Sequence, residues 1–92
     1  MIQQSIVMEI STYPQKFSDD ITVEISADTE DHCIIVVANH LGYILRMMGV
    51  NVGLGRTEIH IHNVHALESG TYQLSVKNKN SNVLYSSMLT KS

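Results

Sequence analysis

The stretch "ALESGTYQLSVKN", residues 66–78, decides the fold because its apolar and polar side chains alternate strictly from Tyr72 to Lys77. Tyr72, Leu74 and Val76 fall on one face of an extended chain, and a polar residue follows each of them. A period of two residues is the pattern of a β-strand with one buried side and one solvent-facing side. Gly70 stands just before the alternation and permits a tight entry into the strand. The stretch therefore predicts a half-buried strand.

The residues around Tyr72 also fit a corner of an immunoglobulin-type sandwich. In such domains a Tyr stands two residues before the second cysteine, and its hydroxyl bonds to the backbone just upstream. Glu68, Gly70 and Tyr72 match that arrangement, while Leu74 occupies the cysteine position. The chain has one cysteine, Cys33, so an internal disulfide is impossible. We expect Tyr72 to hold the corner with its hydroxyl and Leu74 to continue the buried face.

The same alternation recurs along the rest of the chain and predicts seven strands in all. Turn residues separate these strands, and no window of helical length shows an apolar stripe at i, i+3 and i+4. Short strands at this spacing are typical of an all-β, seven-stranded antiparallel immunoglobulin-like β-sandwich. The predicted strands cover residues 5–10, 21–26, 33–40, 43–48, 57–63, 72–77 and 82–90.

Three features of the sequence allow finer predictions. The run from Cys33 to Ala38 is apolar on both faces, which is typical of a central strand with Cys33 as a small buried hydrophobe. The glycine-rich run from Gly49 to Gly55 precedes a strand rather than a helix, so we interpret it as a hairpin loop and not as a phosphate cradle. Four methionines are predicted to fill the core rather than to form a docking surface: Met8, Met47, Met48 and Met88.

The composition indicates one folded domain. The 92 residues are 43% hydrophobic and 16% charged, which suits a single two-layer core. The net charge of −3 and the dispersed Lys and Arg residues disfavour nucleic acid as a partner. No apolar stretch approaches the roughly 20 residues that a membrane helix needs, so we expect no membrane insertion. Residues 1–20 lack the basic start and unbroken apolar run of a secretory signal peptide.

One pair of histidines has a spacing that metal ligands can use. His60 and His62 would share one strand face, about 6.5 to 7 Å apart, and two imidazoles at that distance could hold an ion such as zinc. Glu58 lies a further step away, so a third ligand would have to come from His65, His40 or elsewhere. Polar residues on the wet face of a sheet explain the same pattern more simply. We therefore predict no metal, no cofactor and no catalytic constellation, hence no enzyme.

Three segments, taken in order, match the layout of a known family. "STYPQKFSDDITVEIS" is similar to an opening made of a Tyr-Pro-Asn-Pro box, a Phe and an alternating strand. "IIVVANHLGYILRMMGVNVGLGRTEIHIHNV" resembles a middle with a Leu-Gly turn, a strand carrying Arg and a Gly-bearing loop. "ALESGTYQLSVKN" followed by "NVLYSSMLTKS" resembles an end with Leu-x-x-Gly-x-Tyr and a last strand close to a Lys. Over residues 11–92 the chain thus resembles the C-terminal sorting domain of type IX secretion substrates (Por secretion system, type A) of Bacteroidetes-type bacteria.

Three residues depart from the pattern of that family. Gln15 and Lys16 stand where the opening box has Asn-Pro. Tyr43 follows the Leu-Gly turn at a position where a small polar or basic residue is common. The order of the segments along the chain, more than any single one of them, carries the resemblance.

The resemblance implies a non-catalytic domain, residues 1–92, at the end of a larger exported protein. Such domains are recognised by outer-membrane secretion machinery and are then removed by a sortase-like surface peptidase. The cut is expected near the start, within residues 1–12, which would form a linker and the first strand. The protein would cross the periplasm and end secreted or at the cell surface, and an upstream part would carry the signal peptide and the cargo.

The last strand is the expected recognition element. A terminal edge strand has unpaired backbone groups, so a partner could read it by strand addition. Met88, Leu89 and Lys91 would give side-chain selectivity, and Gly70 and Tyr72 would shape the corner beside them.

A competing hypothesis is an adhesive or spacer module of immunoglobulin or fibronectin type that binds a protein or carbohydrate ligand. It predicts the same strands and the same surroundings for Tyr72. It would not need to stand at a C-terminus, so the coding context of the chain separates the two hypotheses.

Overall fold

Alternating side chains produce strands along almost the whole chain. The computed structural model describes residues 8–92, which form eight strands and one short 3-10 helix, η1. The elements are β1 (Met8–Tyr13), β2 (Lys16–Phe17), β3 (Ile21–Ala27), β4 (Asp31–Asn39), β5 (Ile44–Val52), β6 (Gly55–Ile61), η1 (Val64–Ala66), β7 (Gly70–Asn78) and β8 (Val83–Lys91).

The strands form two sheets that enclose one core. The smaller sheet has the order β1-β3-β6, and the larger sheet has the order β2-β8-β7-β4-β5. Neighbouring strands are antiparallel except for β2, which runs parallel to β8. The predicted all-β sandwich is confirmed, with eight strands in the described residues instead of seven and one parallel pair.

The additional strand is β2. It consists of Lys16 and Phe17, which are too few residues to show a period of two. A cis Tyr13–Pro14 bond lies between β1 and β2, where the chain passes from the smaller sheet to the larger. The predicted first strand, residues 5–10, overlaps β1 at its end, and residues 5–7 lie outside the described part of the chain.

The glycine-rich run from Gly49 to Gly55 is mostly strand, so the predicted hairpin loop is wrong. β5 continues to its end because Val50 and Val52 alternate inward opposite β4. Only Gly53 and Leu54 lie between β5 and β6. These two strands belong to different sheets, so the connection crosses the sandwich instead of turning back within one sheet.

The inward faces of the strands supply the core. Ile21, Val23 and Ile25 of β3, which the alternation placed on one face, have no exposed surface. β4 lies between β7 and β5, as its continuous apolar run predicts. Strands β2, β4, β5, β7 and β8 and the short helix η1 contribute further fully buried side chains, which are Phe17, Cys33, Ile35, Val37, Val52, Val64, Leu74, Val76 and Leu89.

Cys33 behaves as the small buried hydrophobe that the sequence predicts. Its side chain lies in the core with no exposed surface. Burial raises the pKa of the Cys33 thiol, and the nearby charge of Asp31 raises it further. Because the thiolate is the reactive form, this position disfavours thiol chemistry.

Side-chain contacts tie the two sheets together at both sides of the sandwich. On one side, the hydroxyls of Thr12 and Tyr85 are 3.0 Å apart and join β1 to β8. On the other side, the guanidinium of Arg46 in β5 donates to the carbonyl of Asn63, just after β6, at 2.6 Å. Each side of the sandwich therefore has a side-chain hydrogen bond that connects the two sheets.

Adjacent residues of β8 should differ sharply in their effect on stability. Leu89 is 1% exposed, whereas Met88 is 54% exposed on the opposite face. We expect Leu89→Ala to lower the free energy of unfolding by about 2 to 5 kcal/mol, because it leaves a cavity in the core. The matched Met88→Ala should change it by less than about 0.5 kcal/mol, since that side chain faces water. Urea unfolding of both variants measures the difference, and equal losses would contradict the assigned faces.

Candidate functional site

The corner before β7 is built as the sequence predicts. The hydroxyl of Tyr72 donates a hydrogen bond to the carbonyl of Glu68, four residues upstream. The ring of Tyr72 is 5% exposed and meets the ring of Phe17 edge to face, with centroids 6.0 Å apart. Leu74 follows in the core with no exposed surface and takes the place of a disulfide.

Gly70 is required at this corner for its backbone. Its φ of +149° lies in a region that side-chain-bearing residues rarely adopt. An added Cβ would meet nothing within 4 Å, so space is not the constraint. Gly70 pairs with Lys91, which places the corner beside the end of the last strand.

The end of β8 has a strand on each side. On one side it pairs with β7, and on the other β2 pairs with Thr90 and Lys91. The amide of Thr90 donates to the carbonyl of Gln15 at 2.8 Å, and the amide of Ser92 donates to the carbonyl of Phe17 at 3.1 Å. The final residues are therefore not an edge, which the sequence did not show. The one signal for β2 is Phe17, a single apolar residue in a polar run.

Within residues 8–92, the preceding part of β8 has no strand on this side and is an open edge. Backbone groups of successive strand residues point to alternate sides, and the amide of Thr90 points toward β2. The backbone groups of Met88 and Ser86 therefore point to the same side, beyond the reach of β2, which pairs only with Thr90 and Lys91. An incoming strand would find its hydrogen-bonding partners at these two residues.

The predicted recognition residues divide between surface and core. Met88 is exposed and Lys91 is partly exposed. Leu89 and Tyr72 are buried, so in the folded domain their side chains support the site from within. The five residues lie together at one end of the larger sheet, because Tyr72 pairs with Leu89 and Gly70 pairs with Lys91. Their role in recognition stays a prediction.

Two of the four methionines pack against the core and two are exposed, so the prediction that all four fill the core is wrong for two. Met8 and Met48 pack against the core. Met47 and Met88 are 64% and 54% exposed. The cause is the alternation itself, because Met47 and Met48 are neighbours in β5 and must face opposite sides.

The histidine pair lies on the outer face of the smaller sheet. The rings of His60 and His62 stack with centroids 6.3 Å apart. Nε2 of His60 is 3.1 Å from a carboxylate oxygen of Glu58, and Nδ1 is 3.2 Å from the hydroxyl of Thr22. Both ring nitrogens of His60 thus have protein partners. Among residues 8–92, no group of three or more His, Cys, Asp or Glu side chains is arranged to hold a metal ion.

A polar network continues from His60 across the same face. The hydroxyl of Tyr13 donates to Glu24 at 2.6 Å, and the guanidinium of Arg56 lies 2.9 Å from Glu24 and 3.6 Å from Glu58. The hydrogen bond to Glu24 raises the pKa of Tyr13 above its ordinary value, and the charges of Glu24 and Glu58 add to the shift. These side chains stabilise one another on a wet sheet face, where exposed ion pairs contribute little.

Loss of the Tyr72 hydroxyl tests the corner. We expect Tyr72→Phe to lower the free energy of unfolding by about 1 kcal/mol, because one hydrogen bond is lost. Tyr43→Phe is the matched control, since Tyr43 is 65% exposed and should change stability by less than about 0.5 kcal/mol. Thermal or urea unfolding measures both, and an unchanged Tyr72→Phe protein would contradict a structural role for the hydroxyl.

The sequence matches the model of a known family. The sequence model described as "Secretion system C-terminal sorting domain" matches residues 11–89, most of the chain. No curated protein matches the sequence. Within residues 8–92, no helix combines the length and the apolar composition that crossing a membrane requires.

Solved structures share the fold at low sequence identity. A β-glucosidase from Kluyveromyces marxianus is 12% identical with a TM-score of 0.63, and one from Erythrobacter marinus is 9% identical with a TM-score of 0.65. A β-glucosidase from Bifidobacterium adolescentis is 12% identical with a TM-score of 0.57. These matches cover 95 to 96% of this chain but only 14 to 17% of those chains. They support the sandwich and carry no activity to this chain.

Proposed function

The chain belongs to the family of secretion system C-terminal sorting domains, the sorting signals of type IX secretion, and on that premise we propose that its partner reads the open edge of β8. Domains of this family mark proteins for export to the cell surface or the medium and are recognised by the secretion machinery. The family match does not favour the alternative of an adhesive or spacer module. The family is non-catalytic in general, and we assign no reaction to this chain.

The proposal rests on the place where the pairing of β8 stops. In the described part of the chain, β2 pairs with Thr90 and Lys91 only, and no other strand pairs with the outward backbone groups of Met88 and Ser86. An extended segment of the secretion machinery would add there by main-chain hydrogen bonds. The exposed side chain of Met88 would then contact the added segment and contribute to its selection.

The open edge also suits a domain that stays folded during recognition. Leu89 is in the core and Tyr85 bonds to Thr12, so β8 cannot leave the sheet without loss of stability. Strand addition requires no such departure, because it uses the side of β8 that faces away from β7.

A proline at position 88 tests recognition at this edge. Met88→Pro removes an outward amide donor without removing a ladder bond to β7, so the domain should fold. With a reporter protein fused before residue 1, in a bacterium that has type IX secretion, we expect several-fold less reporter outside the cell. Met47→Pro, which makes the same change on the open edge of β5, should leave export unchanged.

The proline variants are more informative than truncation. Deletion of residues 84–92 would also remove Leu89 and Tyr85 and so confound recognition with folding. Circular dichroism of the purified domains confirms that the variants are folded. Wild-type export of folded Met88→Pro would overturn recognition at this edge.

We further propose that a sortase-like peptidase separates the domain from an upstream cargo. Peptidases generally require an extended, accessible chain, and β1 is paired with β3 along its whole length from Met8 to Tyr13. The cut is expected among residues 1–12, and it should therefore fall before Met8. Residues 1–7 lie outside the described part of the chain.

The position of the cut can be read directly. Mass spectrometry of the exported reporter should give a C-terminal residue before Met8. A mass that includes residues from Met8 onward, or the intact domain, would contradict the proposed processing site while leaving recognition at β8 as a separate question.

A further inference from the structure

A cleft opens between the two sheets on the side where β5 faces β6. β5 is the last strand of the larger sheet, and β6 is the last strand of the smaller one. The cleft has a volume of about 250 Å³ and lies near the start of β5 and the end of β6. None of the described residues of β8 lines it. The cleft is therefore separate from the edge at which recognition is proposed.

The interior of the cleft is apolar. Its lining includes Ile35 and Val37 of β4, Met48 of β5 and Ile61 of β6, which all belong to the core or pack against it. Met48 is half-buried, whereas the other three are buried. Because methionine is unbranched and flexible, Met48 can move aside for a group that enters. An apolar group in the cleft would leave water and pack against these side chains.

Arg46 places a positive charge in this apolar surrounding. Among the described residues that line the cleft, Arg46 alone carries a permanent charge, and its side chain is half-buried. Its guanidinium donates to the carbonyls of Leu45 at 2.8 Å and Asn63 at 2.6 Å. No carboxylate of residues 8–92 lies within ion-pair distance of it. The two carbonyls thus solvate the cation without neutralising its charge.

The guanidinium of Arg46 also has donors to spare. A guanidinium has five N–H donors in one plane, and the two carbonyls use one on each Nη. Among the hydrogen bonds of residues 8–92, the Nε–H and the second N–H of each Nη remain without an acceptor. A carboxylate binds a pair of such donors side by side. Arg46 can therefore hold a carboxylate and still connect the two sheets.

The apolar interior and the single cation together define the ligand. It must carry a carboxylate close to an apolar group. In an extended peptide, consecutive side chains point to opposite faces, so an acidic residue and its apolar neighbour do not enter one cleft together. In a C-terminal residue, however, the carboxylate and the side chain share one Cα. The cleft is smaller than the roughly 300 to 1,000 Å³ of sites for drug-sized ligands, which suits a single residue.

We infer that this cleft is a binding site for the C-terminal residue of a peptide chain, an apolar residue with a free carboxylate. Arg46 binds the carboxylate, and Met48 and Ile61 pack against the side chain. His60 lines the side of the smaller sheet, and both of its ring nitrogens already have protein partners. The charge that selects the ligand is therefore that of Arg46.

Binding of short peptides to the unaltered 92-residue chain tests the inference without a mutation. The probe is acetyl-Gly-Ser-Gly-Leu with a free C-terminus, added during an NMR titration of the isotope-labelled chain. We expect saturable shifts of the backbone amides of Met48, Ile61 and Asn63. The same peptide with a C-terminal amide should bind at least tenfold more weakly, because it lacks the charge. A peptide that ends in Ser should also bind at least tenfold more weakly, because it lacks the apolar group.

A charge-removing variant tests the role of Arg46 apart from its structural one. In Arg46→Gln the free-acid and amide peptides should bind with equal affinity, because the group that distinguishes them is gone. A purely structural role would lower both affinities and keep their ratio. Arg56→Gln is the matched control, since Arg56 lies on the outer face beside Glu24 and Glu58 and should leave both affinities unchanged.

Several results would overturn the inference. They are equal binding of the free-acid and amide peptides to the unaltered chain, shifts at Ser86 and Met88 instead of the cleft, and no saturable shift up to about 10 mM peptide. Octanoate that binds in the cleft tenfold more tightly than the peptide would overturn a peptide as the occupant. If Arg46→Gln fails to fold by circular dichroism, the peptide series on the unaltered chain still decides. Failure of Met88→Pro to alter export leaves this site untouched, because β8 does not line the cleft.

Discussion

The contact between Phe17 and Tyr72 is the interaction on which the rest of the structure depends. Phe17 is fully buried, and its position in the core fixes β2 beside the end of β8. Tyr72 holds the preceding corner to Glu68 with its hydroxyl while its ring meets Phe17. This aromatic pair therefore connects three parts of the chain: β2, where the chain has crossed to the larger sheet, the corner before β7, and the last strand, β8. Leu89, which pairs with Tyr72, completes this part of the core.

The sequence predicts what local geometry determines. Alternation identifies the inward residues of β3 and β7, and the spacing from Glu68 to Tyr72 identifies the corner, because both depend only on neighbouring residues. It does not predict β2, since two residues show no period. It also does not tell which sheet a strand joins, so it predicts a hairpin where the chain in fact crosses from β5 to β6. That choice depends on contacts between distant residues.

In the candidate recognition site, too, some properties follow from local sequence and others from contacts between distant residues. The predicted residues at the end of the chain do lie together, because a strand that follows a tight turn pairs back on its neighbour. Which of them is accessible depends on the partner strands. Burial of Leu89 follows from alternation, but the cover over Thr90 and Lys91 comes from β2, which lies far away in sequence. The sequence therefore indicates the strand, and the topology indicates which part of it is open.

The few open backbone groups of β8 also indicate which part of the domain must provide selectivity for a partner. Main-chain hydrogen bonds at Met88 and Ser86 are available to any extended segment, so they supply attraction without distinguishing one segment from another. Discrimination must come from the outward side chains beside that row. The side-chain amide of Gln73 donates to the hydroxyl of Ser86 at 2.8 Å, which fixes Ser86 in place, and Gln73 pairs with Met88. A flexible methionine beside a fixed polar pair can adapt its shape to an apolar side chain of the partner. Under the proposed strand addition, the features that distinguish this domain to a partner would thus lie on the outer face of β7 and β8, with the buried residues of the same strands holding that face in position.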